Sequence, residues 1–204
     1  MQPSPGSAGA GIGKQAALSY AQHGASVILL GRTVKKLEQT YDEIETAGLA
    51  QPAIIPLDMK GATKQNYLDM ADTIEQQFGR LDGILHNAGL LGVISPFDQI
   101  GEDTFDDVMQ VNVKAQFLMT QALLPILHKS KDARILFTSS TVGHSGRAFW
   151  GAYAMSKFAT EGMMQILADE LTDSNIRINA INPGGTRTGM RAKAYPAEDT
   201  ELLK

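Results

Sequence analysis

Gly9-Ala10-Gly11-Ile12-Gly13 leads through an amphipathic stretch into Ala25–Gly31, ASVILLG. That run is continuous and apolar, carries valine and isoleucine, and has the length of a strand buried on both faces. Glycines at the head of the intervening helix let the backbone approach an anion, and the free N–H groups there attract it. Glycines alone read equally well as a plain turn. The buried strand that follows the helix is what favours a nucleotide-binding α/β unit.

The same alternation continues along the chain. Ala53–Leu57 (AIIPL), Leu81–Leu85 (LDGIL), Arg134–Thr138 (RILFT) and Ile176–Ile181 (IRINAI) read as further strands, with Pro56 and the charged edges weakening the individual patterns. Helical periodicity covers 12–23, 34–47, 64–79, 103–128 and 152–172, with Met163 and Met164 read as core packing. Strands alternating with helices of this length predict a Rossmann-like, doubly wound parallel sheet with helices on both faces, a three-layer α/β/α arrangement. One nucleotide-binding domain is expected over 1–204. It reads as incomplete at both ends: the glycine turn follows Pro3 and Pro5 instead of an apolar strand, and 189–204 is polar. Residues 1–7 are read as a leader or cloning scar, and 189–204 as the start of a substrate lid.

Composition narrows the function classes. Of 204 residues, 43% are hydrophobic and 20% charged, which argues against disorder. The net charge is −4 and no basic tract occurs, so nucleic acid is not the expected partner. The chain has no cysteine, which excludes disulfides and thiolate metal sites and suits a reducing cytoplasm. No apolar run approaches the roughly 18 residues that a membrane helix needs. His23, His86, His128 and His144 lie too far apart for a ligand motif, so no metal is expected.

Three residues suggest chemistry. Tyr153 and Lys157 stand at i and i+4 in Ala152-Tyr153-Ala154-Met155-Ser156-Lys157, and Ser140 precedes the tyrosine by 13 positions. Side chains four apart on a helix share a face. An ammonium beside a phenol favours the phenolate, so the pair reads as an acid/base device. A serine hydroxyl could hold the oxygen whose proton moves. Taken singly, the serine could cap a strand and the other two could form an exposed helix pair. At the end of the second predicted element of the nucleotide unit, Gly31-Arg32-Thr33 offers an arginine where an adenosine ribose would lie. Arginine suits a 2′-phosphate, which favours NADP over NAD; the alternative is a solvated loop arginine.

Together these residues resemble the short-chain dehydrogenase/reductase family in its single-domain branch, over about Ala8 to Arg191. His86-Asn87-Ala88-Gly89 resembles the family's Asn-Asn-Ala-Gly segment, with histidine in the first place. Asn112 in Val111-Asn112-Val113 matches the asparagine of the family's catalytic tetrad, and Ser140, Tyr153 and Lys157 match the other three. Asn182-Pro183-Gly184 with Thr188 resembles the segment that reaches the nicotinamide, and Asp58 stands where a family aspartate meets adenine. Within the family, HNAGLLG (86–92), ATEGMMQ (159–165) and NPGGTRT (182–188) resemble a bacterial YciK-like oxidoreductase subgroup. Against the family's Thr-Gly-x-x-x-Gly-x-Gly, the first two positions hold Gly6 and Ser7, and the first and last strands have no counterpart.

The resemblance implies reversible hydride transfer between nicotinamide and a carbonyl or secondary alcohol. Tyr153 is the implied general acid/base. Lys157 lowers its pKa and binds the nicotinamide ribose, Ser140 polarises the substrate oxygen, and Asn112 positions a water. Gly9, Gly11, Ile12, Gly13, Arg32, Asp58, Asn87, Ala88, Gly89, Tyr153, Lys157, Pro183, Gly184 and Thr188 are the implied cofactor contacts. Leu90, Leu91, His144, Phe149, Trp150 and Met190 flank the motifs and could line an apolar substrate pocket. Phe149 and Trp150 read equally as core or subunit contact, and His144 also reads as a solvated loop residue. The resemblance further implies a homodimer or homotetramer. The alternatives are a fragment unable to hold its cofactor, and a non-catalytic dinucleotide sensor.

Overall fold

The computed structural model describes Gly11–Asp199, Glu201 and Leu203. Gly9 and the segment read as a leader lie outside the described residues, and so does the question of a first strand. In chain order the regular elements are α1 (Gly11–Gln22), β1 (Ile28–Gly31), α2 (Val34–Thr46), β2 (Ala53–Pro56), α3 (Lys64–Phe78) and β3 (Gly83–His86). They continue with α4 (Glu102–Met109), a π-helical turn (Gln110–Lys114), α5 (Ala115–Leu127), β4 (Ala133–Thr138), α6 (Gly151–Glu170), β5 (Ile176–Ile181) and α7 (Gly189–Ala194). The fold is Rossmann-like α/β. Every strand pairing is parallel, in one sheet of order β1-β2 and a second of order β3-β4-β5.

The described residues divide into two compact units interleaved in sequence. One lies within Met1–Met59, Asn87–Leu90 and Gly185–Lys204, the other within Lys60–His86 and Leu91–Gly184. In the first, Ala17 and Ala21 of α1, Leu29 of β1 and Leu37 and Ile44 of α2 form a closed apolar cluster. Leu29 is fully buried, which stabilises the unit by about 1.5–3 kcal/mol relative to an exposed leucine. β1 is shorter than the apolar run that predicts it. Pairing reaches back only as far as the Val27 carbonyl, which accepts from Ala53 N–H at 2.9 Å.

In the second unit Leu127, Ala133, Ile135, Phe137, Ile176 and Ile178 form the core of the three-stranded sheet. Met163 and Met164 of α6 pack against it, in keeping with the core reading. β3 runs two residues later at its start than the LDGIL run suggests. Leu81 N–H turns to the Ile126 carbonyl of α5 at 3.4 Å, and the ladder begins at Gly83 opposite Arg134, with the Asp82 carbonyl accepting from Arg134 N–H at 3.1 Å and its carboxylate accepting from Ser130 Oγ at 2.6 Å. At its other end His86 pairs with Phe137 and stacks on that ring, with centroids 4.7 Å apart. The long helix expected over 103–128 forms with an interruption. Ala115 N–H donates to the Gln110 carbonyl five residues back, so the π turn inserts one extra residue between α4 and α5.

Candidate functional site

The π turn decides where Asn112 points. Its side chain is fully buried, and Nδ2 donates to Ser156 Oγ at 2.9 Å. Ser156 Oγ in turn donates to the Tyr153 carbonyl at 2.7 Å, so the turn is tied to α6 at the level of the tyrosine. One turn further along, Thr160 Oγ1 donates to Gln116 Oε1 at 3.4 Å and to the Ser156 carbonyl at 3.0 Å. Asn112 and Gln116 face Ser156 and Thr160 as two i, i+4 pairs, a buried polar seam between otherwise apolar helices.

β4 delivers Ser140. The strand ends at Thr138, Ser139 N–H donates to the Ile181 carbonyl of β5 at 2.8 Å, and Ser140 precedes the 3₁₀ turn Thr141–Gly143. The Ser140 side chain hydrogen-bonds the Tyr153 phenol. Lys157 is buried, lies 5.6 Å from the centre of the Tyr153 ring, and donates through Nζ to the Thr138 carbonyl at 2.7 Å. The second unit thus gathers Asn112, Ser140, Tyr153 and Lys157 at the C-terminal end of β4.

Electrostatics at the group are governed by burial. Burial pushes the Tyr153 phenol up, and the hydrogen bond with Ser140 acts in the opposite direction by favouring the phenolate. Burial brings the Lys157 ammonium down to about 8, with the Glu161 carboxylate acting against it. The pull on Tyr153 in this arrangement therefore comes from Ser140, where the i, i+4 spacing points to Lys157.

Beyond β5, Asn182-Pro183-Gly184 makes a tight turn. Asn182 Oδ1 accepts from Gly184 N–H at 3.1 Å, Gly184 has φ +69°, and Asn182 Nδ2 donates to Thr141 Oγ1 at 3.0 Å. This holds Pro183 and Gly184 beside the turn that follows Ser140. Of the residues read as pocket candidates, Trp150 is half-buried with its ring 5.8 Å from that of Tyr153, and Leu91 is buried. Phe149 is exposed with φ +72°, in the left-handed region, and its carbonyl accepts from Ser95 N–H at 3.1 Å. His144 is exposed and pairs with Glu161.

The first unit carries the residues read as cofactor contacts, apart from Tyr153, Lys157, Pro183 and Gly184 of the second. Gly11, Ile12 and Gly13 form the head of α1, where Gly11 has φ +57° and a Cβ would lie 3.4 Å from Thr188 Cγ2. Thr188 caps α7, its Oγ1 accepting from Arg191 N–H at 3.1 Å. Arg32 follows β1 and Asp58 follows β2, both exposed at the C-terminal ends of the two strands. Asn87-Ala88-Gly89 also belongs to this unit, with Asn87 buried, as does Met190 within α7. Among the described residues no cluster of side chains could hold a metal ion, and no helix is long and apolar enough to cross a membrane.

The sequence reading missed Ser156, Thr160 and Glu161. Ser156 and Thr160, at i, i+4 on the face of α6 that also carries Lys157, were the available signal. The structure of His86 was also missed: Nε2 lies 2.9 Å from Thr120 Oγ1, and burial brings its pKa down to about 3.

Comparison with known proteins gives a consistent relationship. The sequence profile of the short chain dehydrogenase family matches residues 7–199. The oxidoreductase YciK of Escherichia coli (strain K12) is 54% identical over 194 residues, covering 95% of this chain and 77% of that protein. A short chain dehydrogenase from Shigella flexneri, solved in complex with NADP, superposes with a TM-score of 0.94 at 54% identity, covering 97% of this chain and 82% of its own. One from Escherichia coli CFT073, in complex with NADPH, gives a TM-score of 0.93 at 54% identity, again covering 97% of this chain and 82% of its own.

Proposed function

Because the chain belongs to the short chain dehydrogenase family, we propose that it is an NADP(H)-dependent oxidoreductase acting on a carbonyl or secondary alcohol. The observation that carries this reading is the hydrogen bond between Ser140 and Tyr153 beside a buried Lys157 on the same helix.

Residues of the first unit suit the nucleotide. The head of α1 is built from Gly11, Ile12 and Gly13, so its N–H groups are not screened by large polar side chains and its dipole favours an anion. Arg32, exposed after β1, suits a 2′-phosphate. The NADP- and NADPH-bound relatives support that preference. Asp58 is assigned to the adenine, and Asn87, Ala88, Gly89 and Thr188 to the cofactor's path. In the second unit Pro183 and Gly184 are assigned to the nicotinamide side, with Tyr153 and Lys157 to its ribose.

When bound, the nicotinamide gives or takes the hydride. The protein's part is proton handling and placement. In reduction Tyr153 donates its phenolic proton to the carbonyl oxygen as the carbon gains the hydride, and in oxidation the phenolate takes it back. Ser140 holds the same oxygen and stabilises the charge that develops on it. The Lys157 ammonium stabilises the phenolate left behind. Asn112, fixed by the π turn and Ser156, is assigned to the relay that returns the proton. A half-buried Trp150 and exposed Phe149 favour a substrate with an apolar portion.

The chain is further assigned to a cytoplasmic homo-oligomer. Exposed Phe105, Phe117, Met155 and Phe158 on α4, α5 and α6 support pairing of these helices, since apolar side chains concentrated in this way mark contact surfaces.

The test is NADPH oxidation with a panel of aldehydes and ketones, wild type beside Tyr153→Phe. The substitution is expected to lower kcat by about 100- to 10,000-fold, with NADPH affinity held within a factor of two to three. Turnover retained by the phenylalanine variant would remove Tyr153 from the mechanism.

A further inference from the structure

Glu161 stands one helical turn beyond Lys157 on α6, and its side chain is only 7% exposed. A carboxylate withdrawn from water is costly unless it is paired. Its partner is the His144 imidazole, whose Nε2 lies 3.1 Å from Oε1 and whose own side chain is 62% exposed. One imidazole therefore connects the buried charge of α6 with the surface.

Gly143 is what allows this contact. A Cβ there would come within 3.0 Å of Ser139 Oγ, 3.1 Å of the Lys157 carbonyl and 3.2 Å of Lys157 Cβ. The turn after Ser140 is thus pressed onto the backbone of α6 at Lys157, and the next residue, His144, meets Glu161 one turn on. Side chains on a helix lean toward its N-terminus, so Glu161 leans toward Lys157 and Lys157 toward Tyr153.

We propose that Glu161, held in place by His144, is a positioning residue for Lys157: its buried carboxylate keeps the lysine ammonium charged beside Tyr153. The inference rests on the role assigned to Lys157 in the proposed reaction. Burial opposes a charged lysine, and Glu161 is the charge that acts against burial. The other elements packed here bring little charge to bear. β4 offers the Thr138 carbonyl, the π turn and α5 offer neutral Asn112 and Gln116 with Lys114 exposed at the end of the turn, and the turn after Ser140 offers Ser139, Ser140 and His144. On α4, Glu102, Asp103 and Asp106 are exposed and Asp107 pairs with Lys60 at 2.7 Å. On β5, Arg177 is exposed and donates to the Ser174 carbonyl. Among the described residues Tyr153 is the further ionisable group beside Lys157, with its ring centre 5.6 Å from Nζ.

The experiment follows the Lys157 Nζ resonance through a pH titration by NMR on nitrogen-15-labelled protein, without substrate, together with the pH profile of kcat. In Glu161→Gln the lysine midpoint is expected to fall by about one pH unit, the size expected of a unit charge removed at close range. The basic limb of kcat moves to lower pH with it. Glu161→Asp, which keeps the charge, restores both in large part. A lysine midpoint unmoved in Glu161→Gln overturns the proposal, as does a kcat lowered equally at every pH. If the glutamine variant does not fold, His144→Ala, at an exposed site, is expected to move the midpoint in the same direction, and an unmoved midpoint there overturns the proposal too. The arms separate the two readings. A shifted lysine in a protein that reduces no carbonyl compound refutes the proposed reaction and not the link between Glu161 and Lys157.

Discussion

The Asn112 amide donates to Ser156 Oγ at 2.9 Å, joining the π turn to the helix that carries Tyr153 and Lys157. Asn112 is fully buried, so the serine partners an amide withdrawn from bulk solvent. Ser156→Ala is expected to lower stability by about 1–3 kcal/mol, the cost of a buried amide losing a partner. Urea denaturation measures this, with kcat falling alongside as Asn112 loses its anchor. Unchanged stability would mean that the bond contributes nothing net.

Arg32 stands exposed just past β1. Arg32→Ala is expected to weaken NADPH binding about ten- to a hundredfold, the loss of a charge-assisted hydrogen bond to phosphate, and to leave NADH binding where it was. Fluorescence or calorimetric titration with both cofactors gives the ratio. An equal loss for both would assign the arginine a role unrelated to the 2′-phosphate.

Burial of His86 against Phe137 and Thr120 brings its pKa down to about 3, from an ordinary value near 6.5. The unfolded chain then binds a proton that the folded one refuses. Stability from the neutral imidazole is complete above the unfolded value and is lost as pH falls from 6.5 toward 3, with a slope of up to about 1.4 kcal/mol per pH unit. His86→Asn, which restores the family's usual residue, is expected to flatten the stability profile in that window. Denaturant midpoints taken between neutral pH and pH 4 decide it; parallel curves for the two proteins would rule the histidine out.

Gly143→Ala places a methyl group 3.1 Å from the Lys157 carbonyl, a backbone atom that cannot swing away. About 1–3 kcal/mol of destabilisation is expected, as for other insertions into close packing. kcat should fall more than NADPH affinity, because the displaced atoms belong to Lys157 and the turn after Ser140. A variant with native stability and kcat would show that this contact is slack.

Most of the fold was legible because strand and helix periods are local. Ile176–Ile181 is a strand as read, and α2 and α3 fall within one residue of their expected ends. Boundaries failed where tertiary contacts overrode the pattern, as at Leu81, whose N–H goes to the Ile126 carbonyl of α5. The π turn was invisible, since one extra residue in a helix leaves no mark in composition, only a slip in register. In the candidate site, Tyr153 and Lys157 were legible because i and i+4 on one helix share a face, and Ser140 because its spacing from the tyrosine resembles the family's. The buried seam and the pair of His144 and Glu161 were not. The seam depends on the register slip at the π turn, and the pair on how closely the turn after Ser140 lies on α6, which Gly143 sets and no periodicity records.

Trp150 is the only tryptophan of the chain, and its ring lies 5.8 Å from that of Tyr153. Indole emission from this protein therefore has one source, already placed beside the phenol. Ionisation of Tyr153 or arrival of a ligand on its ring should alter the brightness of the native molecule directly. The chain contains its own optical gauge, and no dye or engineered label is needed to watch that tyrosine.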